Sequence, residues 1–410
     1  SSKAPAQLLA DVAAQWLVVA AIVIGLATFA TWYWLLGQPL LFALGLTITV
    51  FVIACPDALG LAMPMAVMVG TGLGAKHGIL FKNAAALEQA TRLDVVIFDK
   101  TGTLTVGEPE VIEIVTAPGV DEARLLRIAA AAERDSEHPL AKAILRRAAN
   151  AEPLPVTEFS NIDGMGMTAR VEGERVWLGN LGLMQRNDVD ITAIKADIER
   201  LQGSGRTIVY VASERALLGL FSIADALRPS ARTAVELLRK RGVEVAILTG
   251  DNRATATRVA AELGIDLVLA EVLPGDKASE VRRLQAERKK VGMVGDGIND
   301  APALTQADVG FAIGAGTDVA MESADVVLMR SDPQDVARAL ALSRATLRKM
   351  QQNLWWAAGY NVIAFPVAAG VFYPWVLSPE VAALAMSGST AIVAFNALML
   401  KRADLRFDAR

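Results

Sequence analysis

The stretch Val95-Val96-Ile97-Phe98-Asp99-Lys100-Thr101-Gly102-Thr103-Leu104-Thr105 reads as a short apolar strand that delivers a carboxylate to its carboxyl end and then turns through a glycine. Strands buried on both faces lack the alternation of half-exposed ones, and open α/β sheets bind ligands just outside the carboxyl ends of such strands. Two later strands end the same way. Val243–Leu248 runs into Thr249-Gly250-Asp251, and Val291–Val294 into Gly295-Asp296-Gly297-Ile298-Asn299-Asp300, while Lys277 follows a Pro-Gly-Asp turn. Between about residues 85 and 345 these runs alternate with helical patterns, which predicts a parallel sheet covered by helices on both faces.

After the first strand comes an insert, roughly Glu110 to Gly219, long enough to be a domain and carrying short strands such as Val171–Trp177. Apolar character concentrates at the two ends of the chain. Trp16–Leu36, Pro39–Val69, Leu354–Leu377 and Val381–Leu400 are each long enough to cross a bilayer core of roughly 30 Å, and read as two helical hairpins. Lys76, Lys82, Arg338, Arg344, Arg348, Lys349, Lys401 and Arg402 flank one side of these spans, whereas Gly37-Gln38 and Pro374 to Glu380 carry no basic residue. Both termini and the long middle are therefore expected in the cytoplasm. Composition agrees, with 53% hydrophobic residues and a mean hydropathy of +0.38. The 40 basic and 44 acidic residues leave no basic surface that argues for nucleic acid as a partner, and the single cysteine, Cys55, excludes an internal disulfide.

The strand-end groups together supply what phosphoryl transfer requires: a nucleophile, a cation against developing charge, donors for phosphoryl oxygens, and carboxylates for magnesium. Two other places stand out. In the insert, Glu133 precedes Ser136-Glu137-His138-Pro139, and Gly164-Met165-Gly166 follows a polar turn; alone, these read equally well as a helix cap and a turn. In the second apolar segment, Cys55-Pro56-Asp57 puts a carboxylate where it is expensive, and Pro56 and Pro64 free carbonyl oxygens that a dehydrated cation can use. The last two apolar segments add Tyr360-Asn361 and Met386-Ser387-Gly388-Ser389-Thr390, polar or soft groups in apolar surroundings.

These strings, in this order, resemble the signatures of P-type ATPases of the heavy-metal-transporting class, on a haloacid-dehalogenase-like, Rossmann-type fold, and are most similar to the copper-type pumps. The resemblance runs nearly from end to end. It implies an ATP-driven, Mg2+-dependent exporter of a metal cation that forms an aspartyl phosphate on Asp99, with Asp99, Asp296 and the Thr101 carbonyl holding magnesium. Thr101, Thr249, Gly250 and Lys277 would hold the phosphoryl oxygens, Asn299 and Asp300 would complete the pocket, and Asp251 would support the nucleotide and phosphate geometry. Glu133, His138, Gly164 and Gly166 would form the adenine site, the glycines making room for the ring. Cys55, Asp57, Met386, Tyr360, Asn361 and Ser389 are the candidate ligands of the transported ion. The family's usual motif is Cys-Pro-Cys, or a variant with Ser, Thr or His, so Asp57 is a departure, natural or engineered. Soft Cys and Met favour Cu(I), while Asp57 pulls toward a harder or divalent ion such as Cu(II), Zn or Co; the metal stays open at this point.

The implied organisation is a membrane hairpin over residues 1–84, a phosphorylation domain in two parts over 85–109 and 220–345, a nucleotide-binding α+β domain over 110–219 between them, and a second hairpin over 346–410. That makes four transmembrane helices in an integral protein of the bacterial plasma membrane, with membrane lipid around them. The family also carries an actuator domain with a Thr-Gly-Glu loop and further helices. Neither is found here, and Ser1 to Pro5 resembles the linker that leaves that domain, so the chain reads as a fragment or one half of a split pump. The alternative is a membrane-tethered phosphatase of the same superfamily. Those enzymes usually place a second Asp two residues after the nucleophile as general acid, where this chain has Thr101.

Overall fold

The computed structural model describes residues 5–402 apart from Pro56, Glu137, Asn150, Pro153, Asp163, Ser204, Gly205, Gly297 and 315–317, so Pro56 and Gly297 of the motifs above lie outside the described residues. Thirteen strands are seen among the described residues: β1 Ile79–Phe81, β2 Val95–Asp99, β3 Thr105–Thr116, β4 Val156–Ile162, β5 Gly166–Val171, β6 Glu174–Gly179, β7 Thr207–Ser213, β8 Leu217–Leu227, β9 Glu244–Leu248, β10 Leu267–Leu269, β11 Val291–Gly295, β12 Val309–Ile313 and β13 Val326–Leu328. They form two sheets. The first has the order β1-β13-β12-β11-β2-β9-β10 and is parallel except for the β1 edge.

All five residues of β2 are buried, as a strand covered on both faces demands. One face packs Val96, Phe98 and Ile247 against Val235, Leu238, Val336 and Leu340; the other packs Val95, Ile97 and Met293 against Val281, Leu284 and Leu304. Because β9, β2 and β11 are neighbours and parallel, Thr249, Asp99 and Asp296 emerge at the same edge. The expected doubly wound architecture is met.

The second sheet, β3-β8-β7-β6-β5-β4, is antiparallel. Helices Glu122–Glu133 and Pro139–Arg147 cover one face and Leu181–Arg186 and Lys195–Gly203 the other, through Leu125, Ile144 and Phe221 on one side and Leu183, Leu201 and Tyr210 on the other. The run Val171–Trp177, expected as one strand, is instead a hairpin, with Glu172 and Gly173 turning at φ +49° and +83° between β5 and β6. The strands that lead into and out of this sheet, β3 and β8, reach past residues 110 and 219 at their outer ends.

Three of the long apolar helical stretches can cross a membrane by length and composition: Val12–Leu35, Leu40–Lys76 and Pro379–Arg402. Leu40–Lys76 is interrupted at Ala54 and Cys55, dividing it into helices Leu40–Ile53 and Asp57–Lys76. The expected span Leu354–Leu377 differs. It is the distal part of a 35-residue helix, Gln334–Ala368, which starts inside the core of the first sheet and stops nine residues early, where Gly370 turns at φ +77°.

Candidate phosphorylation and nucleotide site

Asp99 closes β2 and is 5% exposed. Lys277 Nζ donates to its Oδ1 at 2.5 Å and to Asp300 Oδ1 at 2.6 Å, bridging the two carboxylates. The lysine is placed by the Pro274–Asp276 turn, which opens directly into helix Lys277–Ala286. Gly102 turns the loop after Asp99 at φ +73°, and a Cβ there would stand 1.9 Å from Asp296 Oδ2. Only glycine allows the Asp296 carboxylate to lie over that loop. Thr249 is buried, and its Oγ1 accepts from the Asp251 N–H at 3.1 Å. Thr101, Gly250 and Asn299 lie exposed at the same sheet edge.

Four residues not singled out from the sequence hold this place together. Lys100 Nζ donates to Asp251 at 2.6 Å, so Asp251 is committed to an ion pair beside Asp99. Arg228 donates to the carbonyls of Thr103 at 3.2 Å and Gly102 at 3.0 Å. Thr105 Oγ1 donates to Asp225 and accepts from the Gly102 N–H at 3.3 Å, while Asp225 also accepts from the Gly107 N–H at 2.9 Å. The only sequence signal for Arg228 is a lone cation at the end of β8, before a proline.

Burial pushes the Asp99 carboxyl up to about 7; Asp300 and Asp296 push the same way, and Lys277 opposes them. Burial also raises Asp296, with Asp300 adding to it. Burial pulls Lys277 down, but Asp99 and Asp300 more than offset this and leave it above its ordinary value. Three carboxylates around one ammonium is an excess of negative charge on hard oxygens, which a divalent cation balances. Among the described residues no trio of His, Cys, Asp or Glu closes into a ligand cage. Magnesium asks for none, since it binds through one or two carboxylates, retained waters and substrate phosphates, so the donor set fits Mg2+.

On the second sheet, Glu133, His138, Gly164 and Gly166 all line one cavity of about 570 Å³. Burial raises the Glu133 carboxyl against the opposing pull of Ser136 and His138. His138 Nδ1 accepts from the Leu140 N–H at 3.2 Å, capping helix Pro139–Arg147, so a neutral ring carries its proton on Nε2. Gly166 is required for a reason other than room for a ring: its Cβ would meet the Leu178 carbonyl at 2.1 Å, in the neighbouring strand. Asn180, also unmarked in the sequence reading, lines the cavity and fastens its rim, donating to the Gly164 carbonyl at 2.9 Å.

A family model described as haloacid dehalogenase-like hydrolase matches residues 93–308, more than half of the chain. The chain belongs to the haloacid dehalogenase-like hydrolases. Across 98% of its length the chain is 45% identical to "Copper-transporting ATPase 1" of Rhizobium meliloti (strain 1021), covering 49% of that relative. It is 46% identical to "Probable copper-exporting P-type ATPase" of Archaeoglobus fulgidus, across 98% of the chain and 50% of the relative. The chain thus spans about half the length of the curated relatives it matches. A solved zinc-transporting PIB-type ATPase in its E2.Pi state superimposes with a TM-score of 0.84 at 37% identity, covering 94% of the chain and 62% of that structure. The kinship with heavy-metal P-type ATPases expected from the motifs therefore holds along nearly the whole chain.

In this dehalogenase-like chain some of the candidate ion ligands lie at or beside the helix break and others on the last two long helices. Cys55 is half-buried at the break and Asp57 is exposed at the start of the next helix. Ile53 and Ala54 pack with Ala364 and Phe365, and Ala58 with Ala357, so buried Asn361 lies at the level of the break; its Nδ2 donates to the Ala357 carbonyl at 2.9 Å. Tyr360 and Ser389 line a cavity of about 690 Å³ between the last two long helices, which Cys55, Asp57, Asn361 and Met386 do not line. Met386 is half-buried on the last helix. Nearer the first sheet, Lys349 donates to Asn396, Asn396 to Asn353, and Asn353 to the Ala62 carbonyl, all at 2.8–2.9 Å, tying three helices together.

Proposed function

We propose that the chain is the ATP-binding, self-phosphorylating and ion-binding portion of a pump that exports a heavy-metal cation across a bacterial plasma membrane, with Cu(I) as the favoured cargo. The observation that carries this reading is the buried Asp99 carboxylate at the end of β2, bridged by Lys277 to Asp300 and facing Asp296 across Gly102. In this reading Glu133 and His138 hold adenine in the insert, and the γ-phosphoryl group reaches Asp99. A bond forms between an Asp99 oxygen and phosphorus while the bridging oxygen leaves with its electron pair on ADP, so no proton need move. Lys277 orients Asp99 and neutralises charge on the phosphoryl oxygens, with Thr101, Thr249, Gly250 and Asn299 bordering them. Asp99, Asp296 and the Thr101 carbonyl would hold Mg2+, which would supply further neutralisation of charge on the transferring group.

Thr101 cannot serve as a general acid or base, so the acyl phosphate persists until another segment of the pump, carrying a Thr-Gly-Glu loop, positions water against it. The copper assignments of the relatives and the soft Cys55 thiol support Cu(I). Asp57 is the feature that would instead suit a divalent ion. Incubation of the lipid-embedded chain with γ-labelled ATP and Mg2+ should give an acid-stable, hydroxylamine-sensitive label that Asp99→Asn lacks. Label persisting in that variant overturns the nucleophile, and stimulation by Zn or Co but never by Cu(I) overturns the cargo.

A further inference from the structure

The cavity of about 690 Å³ between the last two long helices is a groove in the side of the bundle. Gln352, Trp355, Gly359 and Ile363 line it from helix Gln334–Ala368, and Gly388 and Ile392 from helix Pro379–Leu398. Two of these residues lack a side chain, and a Cβ at Gly359 or Gly388 would meet nothing within 4 Å. Trp355 and Ile363 on the rim are 79% and 73% exposed, so the groove opens sideways, away from the other helices. From Gln352 to Ile363 it runs eleven residues along the helix, roughly 16 Å at 1.5 Å per residue. That is about the depth of one leaflet of a hydrocarbon core roughly 30 Å thick. The end nearer the first sheet is cationic. Arg348 lies one turn before Gln352 on the same stripe of the helix, is exposed, and has no hydrogen bond or ion pair among the described residues. Lys349 beside it is fastened to Asn396, which donates to Gln352 at 3.4 Å. Leu400 packs beside Ala345, one turn from Arg348, so exposed Lys401 and Arg402 end the other helix at the same level. From Val336 to Arg402 the only carboxylate is Glu380, at the opposite end of the span.

We propose that the groove holds one acyl chain of an anionic phospholipid, drawn from the leaflet nearer the first sheet, with its phosphate seated on Arg348. Shape and charge agree on this occupant. An acyl chain fills an apolar slot one leaflet deep that opens to lipid, and the headgroup phosphate accepts charge-assisted, bidentate bonds from a guanidinium. An apolar helix would fill the slot but leave the cations at its mouth unmatched. Tyr360 and Ser389 line the same groove, so the acyl chain lies along two of the candidate ion ligands and covers them on the lipid side. Such a site depends on the membrane placement of these helices and not on the nucleotide or the cargo.

The test is fluorescence quenching of the full chain in phosphatidylcholine vesicles containing a minor fraction of phosphatidylglycerol, with bromine on the acyl chains of one lipid or the other. The emission that Trp355→Phe removes reports the groove. In the wild type the brominated anionic lipid should quench it with about fivefold higher relative affinity than the brominated zwitterionic lipid, because a basic residue at the membrane surface contributes about 1 kcal/mol toward an anionic lipid. Arg348→Ala should bring that ratio close to one, and Arg348→Lys should keep most of it. Gly388→Leu, which fills the slot, should lower the ratio although Arg348 is still present. Equal quenching by the two lipids in the wild type overturns the site. A ratio unchanged in Arg348→Ala overturns the headgroup seat, and a ratio unchanged in Gly388→Leu shows that surface charge attracts the lipid without the groove, which overturns the site as well. Loss of the preference as the chain is crowded in the membrane puts a second copy in the groove, and its loss in a longer chain carrying the pump's remaining helices puts one of those helices there; either result overturns the lipid assignment.

Discussion

Asp99→Asn should make the ligand-free protein more stable at neutral pH while abolishing phosphorylation, because the folded state holds this carboxyl against its tendency to ionise. Its ordinary value of 3.8 is raised to about 7, first by burial and then by Asp300, with Lys277 opposing. Between these values the folded protein binds a proton that the unfolded chain has released, so stability falls as pH rises through the window from about 4 to 7. At 1.36 kcal/mol per pKa unit the loss is roughly 4 kcal/mol above pH 7. Asn has the shape of the protonated acid and no titration. The gap between Asp99→Asn and wild type should therefore be near zero at pH 3, about 1 kcal/mol at pH 4.5, and approach roughly 4 kcal/mol at pH 8. Relief of Asp296 and Asp300 from a neighbouring charge acts in the same direction. Thermal unfolding in detergent at several pH values, without nucleotide or divalent cation, measures the gap, and Mg2+ should narrow it by stabilising the wild-type carboxylate cluster. A variant equal to or less stable than wild type at pH 8 would refute the reasoning, and would mean that Lys277 governs the charge state of Asp99.

Gly102→Ala should abolish Mg2+-dependent phosphoenzyme formation, since the new methyl would stand 1.9 Å from Asp296 Oδ2 at a φ of +73°; labelling equal to wild type would show that the loop relocates freely. Asn180→Ala removes one fastening of the Gly164 turn and should weaken ATP binding about fivefold, the worth of one net hydrogen bond, read by calorimetric titration against unchanged Mg2+-dependent labelling at saturating ATP.

The motifs that could be read from the sequence are those where covalent neighbours make the chemistry: a strand and the turn that ends it. Asp99, Thr249 and Asp296 each follow an apolar run directly, so their common edge followed once the strands were taken as parallel. Arg228 and Asp225 were out of reach, because their partners lie more than a hundred residues away and nothing about a lone charge at a strand end says what it will hold. His138 was marked for adenine, yet one of its nitrogens is spent on a helix cap, a use invisible without the Leu140 amide. The Leu354–Leu377 run was apolar enough for a span, but hydropathy does not register that the helix begins twenty residues earlier, in the core of the first sheet. Residues beside the helix break could be flagged by their cost in lipid, whereas the Lys349-Asn396-Asn353 chain could not, being polar groups near the end of apolar segments where such residues are ordinary.

Two mechanical links join these parts. Asp225 and Arg228 sit three residues apart where β8 leaves the insert, and both grip the loop after Asp99: one through Thr105 and Gly107, the other through the Gly102 and Thr103 carbonyls. The insert cannot tilt over the sheet without carrying that loop or breaking those bonds, so any tilt of the insert also moves the peptide groups around Thr101. The second link is the helix Gln334–Ala368. Its start is locked into the first sheet by Val336 and Leu340 and by fully buried Asp335, which Arg330 and Arg338 hold at 2.7 and 2.5 Å. From Asp335 the same helix runs without interruption to Asn361, roughly 39 Å at 1.5 Å per residue, and on the way Asn353 bonds the Ala62 carbonyl of the helix that carries Asp57. A rod anchored at both ends transmits rotation of the sheet to the Ala54–Cys55 break as displacement, because packed helices move as bodies and do not deform continuously. The proposed chemistry at Asp99 and the candidate ligands beside Cys55 are thereby joined through one covalent element, and the polar bonds of Asn353 fix where along that element the motion is delivered.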